Sequence, residues 1–176
     1  MPNGFFLALT MIFLFLVVGI LLSGLINLLI PLFRTPKKDL KKILDTISLT
    51  KDDTFIDLGS GDARVIFEAR RRNREAKLLG YEISPILLII AVLKKKLLFP
   101  FDKKLIIEAE DLFDIDYSKA TKIYCYLSPE ALEILKEKFK GCKSLKVYSY
   151  KYKISNKKAK DTISLPSGEK LYIYSF

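Results

Sequence analysis

The sequence predicts an α/β protein with a mostly parallel sheet and an antiparallel edge, preceded by one amino-terminal transmembrane helix. Three observations predict it. An apolar run without a single charge extends from residue 5 to residue 33. After it, short β-rich runs alternate with helical segments, a pattern that calls for right-handed crossovers and a sheet covered on both faces. The chain then closes on strands with no helix between them, which suggests the antiparallel edge. The 176 residues thus divide into an anchor, residues 1–34, and one domain, residues 35–176.

At about 1.5 Å per helical residue, the apolar run exceeds a hydrocarbon core of roughly 30 Å. No basic segment precedes it and no small-x-small site follows, which argues against a cleaved signal peptide. Arg34, Lys37, Lys38, Lys41 and Lys42 crowd its carboxyl-terminal flank, so the positive-inside rule places the domain on the cytoplasmic side. Gly19 and Ser23 form a small-xxx-small pair, a common and weak signal for helix association.

Thr35-Pro36 opens a helix in which Leu40, Ile43, Leu44 and Ile47 recur at helical spacing. A β-rich run over residues 54–57 meets a glycine turn, and a basic helix begins near Ala63. The pattern predicts further strands over residues 77–82, 105–108 and 122–127, and helices over residues 85–96 and 129–139. Strands over residues 145–154 and 171–174 end the chain. The basic stretch over residues 155–160 reads as a loop, and the arginines at 64, 70, 71, 72 and 74 as a solvated face.

Thirty Lys and Arg against 20 Asp and Glu give a net charge of +10, carried almost wholly after the apolar run. Such a domain is drawn to polyanions, first to an anionic membrane surface, with nucleic acid as the alternative. The chain has no histidine, which excludes Ser-His-Asp and Cys-His chemistry. Cys125 and Cys142 have neither CxxC spacing nor a partner cluster, so neither a disulfide framework nor a metal site is expected.

The sharpest chemical signal is Asp57-Leu58-Gly59-Ser60-Gly61-Asp62, where glycines after a strand let backbone approach a ligand closely. Glu82 ends the next strand, where a carboxylate accepts hydrogen bonds from both ribose hydroxyls of an adenosine ligand. A dinucleotide fits poorly: the third glycine of GxGxxG is missing, and Asp57 and Asp62 would repel a pyrophosphate. The same carboxylates suit a phosphate-free ligand with a cationic end, S-adenosylmethionine, with no metal required. Asp111 and Leu112 follow the third strand, where they are candidates for the adenine edge. Tyr124, Tyr126, Ser128 and Pro129, around the carboxyl end of the fourth strand, are candidates for an acceptor pocket; strand packing explains the tyrosines equally well.

Together, Thr35-Pro36, DLGSGDAR (57–64), GYEISP (80–85), EDLF (110–113) and YLSPE (126–130) resemble class I methyltransferases, whose sheet is Rossmann-like. More narrowly, they resemble the membrane-anchored lysine methyltransferases that modify the ATP synthase c subunit and the adenine nucleotide translocase, with their prokaryotic relatives. The likeness covers residues 35–129. Ala63 stands where that family usually has Gly, and residues 150–153 differ from its aromatic, proline-rich segment. The resemblance implies S-adenosylmethionine-dependent N-methylation of a lysine on a membrane-associated protein. A lipid, small-molecule or RNA acceptor, or a membrane-bound nucleoside-binding module without turnover, are the alternatives.

Overall fold

The computed structural model describes residues 3–29 and 34–176. The chain divides into two compact units, Met1–Phe33 and Arg34–Phe176. In the first, helix α1 (Asn3–Leu29) has no acidic residue in its first turn and no basic residue in its last. Of its described apolar side chains nearly all are exposed, Phe6, Phe13 and Phe15 among them. Judged on the described residues alone, no helix is long and apolar enough to cross a membrane. Residues 30–33 and the side chains of residues 22–29 lie outside that set, so the expected span rests on the sequence and not on the structure.

The second unit is built on a seven-stranded sheet of order β3-β2-β1-β4-β5-β7-β6. Helix α2 (Lys37–Ile47) starts after Pro36 and ends where Ser48 turns left-handed. Strand β1 (Thr54–Leu58) leads through the glycine loop into α3 (Arg64–Arg72), and β2 (Lys77–Tyr81) into α4 (Pro85–Leu98). Strand β3 (Leu105–Glu108) runs to β4 (Lys122–Cys125) without a helix, and α5 (Pro129–Phe139) joins β4 to β5 (Lys146–Tyr150). Helix α5 is well signalled locally: Ser128 caps it through the Ala131 N–H, Pro129 stands in its first turn, and Lys136 and Lys138 lie in its last.

Strands β1 to β5 are parallel; β7 (Lys170–Ser175) is antiparallel to both β5 and β6 (Asp161–Ser164). The mostly parallel sheet and its antiparallel edge match the expected class. Strand β6 is absent from the sequence reading because its side chains are half or fully exposed, so no alternation marks it. The sheet side chains divide between two apolar layers. Phe55 joins Ile43, Ile47, Ile66 and Leu78 on one face, while Ile56 and Leu58 join Leu132, Leu135 and Phe139 on the other.

Three polar residues tie the layers together in ways that periodicity does not reveal. Asp39 is fully buried and accepts hydrogen bonds from the Tyr150 hydroxyl at 2.9 Å and the Ser167 N–H at 2.8 Å, joining α2 to the far end of the sheet. Asn73 accepts the Glu75 and Ala76 N–H groups and donates to the Leu49 carbonyl, closing the turn after α3. Arg70 departs from the solvated face expected of the arginine run. It is buried, paired with Asp102 at 2.8 Å, and donates to the Asn73 and Ala76 carbonyls.

Candidate cofactor site

The chain leaves β1 for β2 on one side of the sheet and, after β3, returns to place β4 on the other side of β1. Outside the carboxyl ends of β1 and β4 the connections therefore diverge, and open α/β sheets bind ligands in such a crevice. The glycine loop stands there. Gly59 and Gly61 adopt φ of +66° and +57°, the left-handed region that glycine enters without strain. A methyl group on Gly59 would lie 3.2 Å from Leu127, which shows how closely the loop approaches the end of β4.

Glu82, buried just past β2, holds this loop. Its Oε2 accepts the Gly61 N–H and its Oε1 the Ser84 N–H, each at 2.8 Å. The Ser60 N–H donates to the Tyr81 carbonyl at 2.9 Å, fastening the loop to the same strand end. Each Glu82 oxygen keeps a further lone pair, so the carboxylate that orders the loop can also accept two hydroxyls from a ligand. Ile83, next to it in the chain, is an apolar side chain 67% exposed.

The two acids of the loop differ. Asp57 is buried, and its Oδ2 has no hydrogen-bond partner among the described residues. Burial, then the nearby charges of Glu82 and Asp62, push its pKa up to about 8. Burial also works to raise Asp62, but hydrogen bonds from Arg64 and Lys94 outweigh it and leave the pKa lowered. Asp62 meets Arg64 at 3.2 Å, Lys94 at 3.1 Å and Arg34 at 4.0 Å. It is therefore already neutralised, whereas Asp57, its pKa raised, holds its proton near neutral pH and gives it up when a cation comes to lie beside it. An orphaned buried carboxylate oxygen beside a second carboxylate fits a ligand with a cationic end.

The remaining candidates are spread over the same strand ends. Asp111 Oδ1 accepts the Phe113 N–H at 2.9 Å, and the Leu112 carbonyl accepts the Tyr117 hydroxyl at 2.5 Å, so local hydrogen bonds shape the turn after β3. Tyr124 is buried inside β4 with its hydroxyl 2.7 Å from that of Thr35; burial raises its pKa well above the usual phenol value. Tyr126 is half-buried and meets the Tyr150 ring edge-on at 4.7 Å, with Tyr152 at 6.3 Å. Ser128 and Pro129 form the amino terminus of α5. Thr35 thus enters the site region through Tyr124, a tertiary contact that explains why Thr-Pro precedes α2.

Residues 57–161 match the family described as the ANTKMT methyltransferase domain. The chain belongs to this family. It is a class I methyltransferase that depends on S-adenosylmethionine. The match continues through residues 150–153, beyond the reach of the sequence motifs. Among relatives of this family member, a protein-lysine N-methyltransferase of Saccharolobus islandicus is 29% identical over 154 residues, covering 82% of this chain and 92% of the relative. An RNA methyltransferase from Salinibacter ruber, solved with S-adenosylhomocysteine, is 28% identical with a TM-score of 0.73, covering 81% and 92% of the two chains. A methyltransferase from Geobacter sulfurreducens, at 16% identity, TM-score 0.55 and coverage of 66% and 48%, shares the fold.

Proposed function

We propose that this methyltransferase is a protein-lysine N-methyltransferase, held in a membrane by residues 1–34 with the domain of residues 35–176 on the cytoplasmic side. The observation that carries the cofactor site is the double hydrogen bonding of Glu82 to Gly61 and Ser84, which presents a buried carboxylate beside the bare backbone of the loop. Glu82 accepts the ribose hydroxyls; Asp57, Gly59, Ser60 and Gly61 face the methionine end; Asp111 and Leu112 border the adenine. When bound, S-adenosylmethionine supplies an electrophilic methyl group. The chain's own task is to align the acceptor nitrogen, exclude water and hold that nitrogen neutral. Desolvation of an acceptor lysine near Tyr126, Ser128 and Pro129 lowers its pKa and serves that last need.

The lysine acceptor is supported by the name of the Saccharolobus relative. The anchor is supported by the sequence of α1, apolar on every side over 27 residues. An acceptor on a membrane-associated protein follows from the tether. A second reading, transfer to RNA, is favoured by the Salinibacter structure and by the charge of +10. Incubating the full chain with methyl-tritiated S-adenosylmethionine and either membranes or total RNA separates the two. Label in lysine of a membrane protein supports the proposal. Label in RNA alone, with binding that weakens steeply as salt rises, overturns the protein acceptor.

A further inference from the structure

Helix α4 carries apolar side chains on both of its faces. Leu87 and Ala91 are buried against the sheet, and Ile86, Ile89, Leu93 and Leu97 are all exposed, Leu97 by 82%. At 100° per residue these four form one outward stripe. Phe101, in the turn after the helix, extends it and is 93% exposed. A stripe of this length is unusual on a surface that meets only water. Lys94 and Lys96 fall on opposite borders of the stripe, and Lys103 and Lys104 follow Phe101.

The inner border of α4 opens on a cleft of about 600 Å³ between α2, α3 and α4. Lys37, Lys41, Arg64, Arg71, Arg72 and Lys94 line it, opposed by two acids, Asp62 and Glu68. Asp62 and Glu68 are engaged by Arg64, Lys94, Arg71 and Arg72, while among the described residues neither Lys37 nor Lys41 has an acidic partner. An apolar stripe bordered by lysines beside a cation-rich cleft has the pattern of an interfacial helix. Such a helix buries its apolar face at the acyl boundary while the cations stay at headgroup level.

We propose that α4, with Phe101, docks on an anionic lipid bilayer, its stripe at the acyl boundary and the neighbouring cleft at the phosphates. The proposal stands on α4 and its cleft, and does not require α1 to span the membrane. Docking there would hold the Glu82 end of the site, which leads directly into α4, at the bilayer surface.

The chain has no tryptophan, so a single introduced one is a clean reporter. Full-length Leu97→Trp and Phe101→Trp are each reconstituted with vesicles of phosphatidylcholine and phosphatidylglycerol, with and without brominated acyl chains. Ile134→Trp, an exposed position on α5, is the control. The expected result is a blue-shifted emission at 97 and 101 that brominated lipid quenches, weakened when phosphatidylglycerol is replaced by phosphatidylcholine, and no quenching at 134. Chains that float with the vesicles while both reporters stay unquenched overturn the docking face and leave the anchor intact. A blue shift that grows with protein concentration without quenching assigns the stripe to a second copy and overturns the proposal. Chains that do not float at all overturn both readings.

Discussion

Asp57 and Asp62 sit at the two ends of one glycine loop and are both buried, yet the fold treats them in opposite ways. Asp62 is surrounded by Arg64, Lys94 and Arg34 and is held below the usual carboxylate range. Asp57 meets no cation among the described residues, faces the charges of Glu82 and Asp62, and is pushed up to about 8 by burial first and then by those charges. One acid is committed to structure; the other keeps one carboxylate oxygen without a partner among the described residues. The difference teaches that a carboxylate's place in a motif does not assign its role, because its counter-charges come from elsewhere: Lys94 from α4 and Arg34 from before α2.

The largest effect expected from this contrast is on ligand binding. Asp57→Asn should weaken S-adenosylmethionine by tenfold or more, in line with the ~1.5–3 kcal/mol of a hydrogen bond to a charged group, without lowering the thermal midpoint of the free protein. Equal affinity in the variant would remove Asp57 from the cationic end.

The mirror variant sharpens the comparison. Asp62→Asn should leave affinity nearly unchanged but cost about 0.5–1 kcal/mol of stability in denaturant unfolding, because the buried Asp62 carboxylate is lost to Arg64 and Lys94, whose own ends are partly screened by solvent. Unaltered stability would show that solvent already screens those pairs.

pH separates the two acids further. A raised folded pKa means that Asp57 contributes stability fully present below its ordinary 3.8 and lost as pH climbs through about 8. Asp62 has a lowered folded pKa, so its contribution is present above the ordinary carboxylate value and lost as pH falls through the depressed one. The free protein should therefore lose stability between pH 3.8 and about 8 through Asp57. Unfolding midpoints across that range should flatten in Asp57→Asn and keep their acid limb; a slope unaltered by the substitution would assign it to another group.

The smallest effect concerns Ala63, which the structure places at φ of +61° at the start of α3. An L-residue there is strained by roughly 1–2 kcal/mol, partly offset by the entropy a glycine adds to the unfolded chain. Ala63→Gly should thus gain at most ~1 kcal/mol in thermal unfolding; a loss would mean that the buried methyl group contributes more to packing than its backbone costs.

What was legible in the sequence was whatever leaves a local mark. The glycine loop, Glu82 at a strand end and Ser128-Pro129 at a helix start are set by backbone conformation and short-range patterns. Strand β6 left no mark because an exposed edge strand needs no apolar alternation. The contacts of Asp39, Arg70 and Thr35 were illegible for another reason: their partners, Tyr150, Asp102 and Tyr124, are brought to them only by the tertiary fold. The outward stripe of α4 was hidden because apolar residues on both helix faces cancel the contrast on which periodicity depends.

The most direct test is calorimetric titration of the detergent-solubilised full chain with S-adenosylmethionine and S-adenosylhomocysteine, beside Glu82→Ala. Micromolar binding by the native chain and a loss of about a hundredfold or more in the variant is the predicted result, two charged hydrogen bonds being worth roughly 3 kcal/mol or more. Equal binding by a folded Glu82→Ala chain, or no binding by the native one, would contradict the site described between the glycine loop and β2.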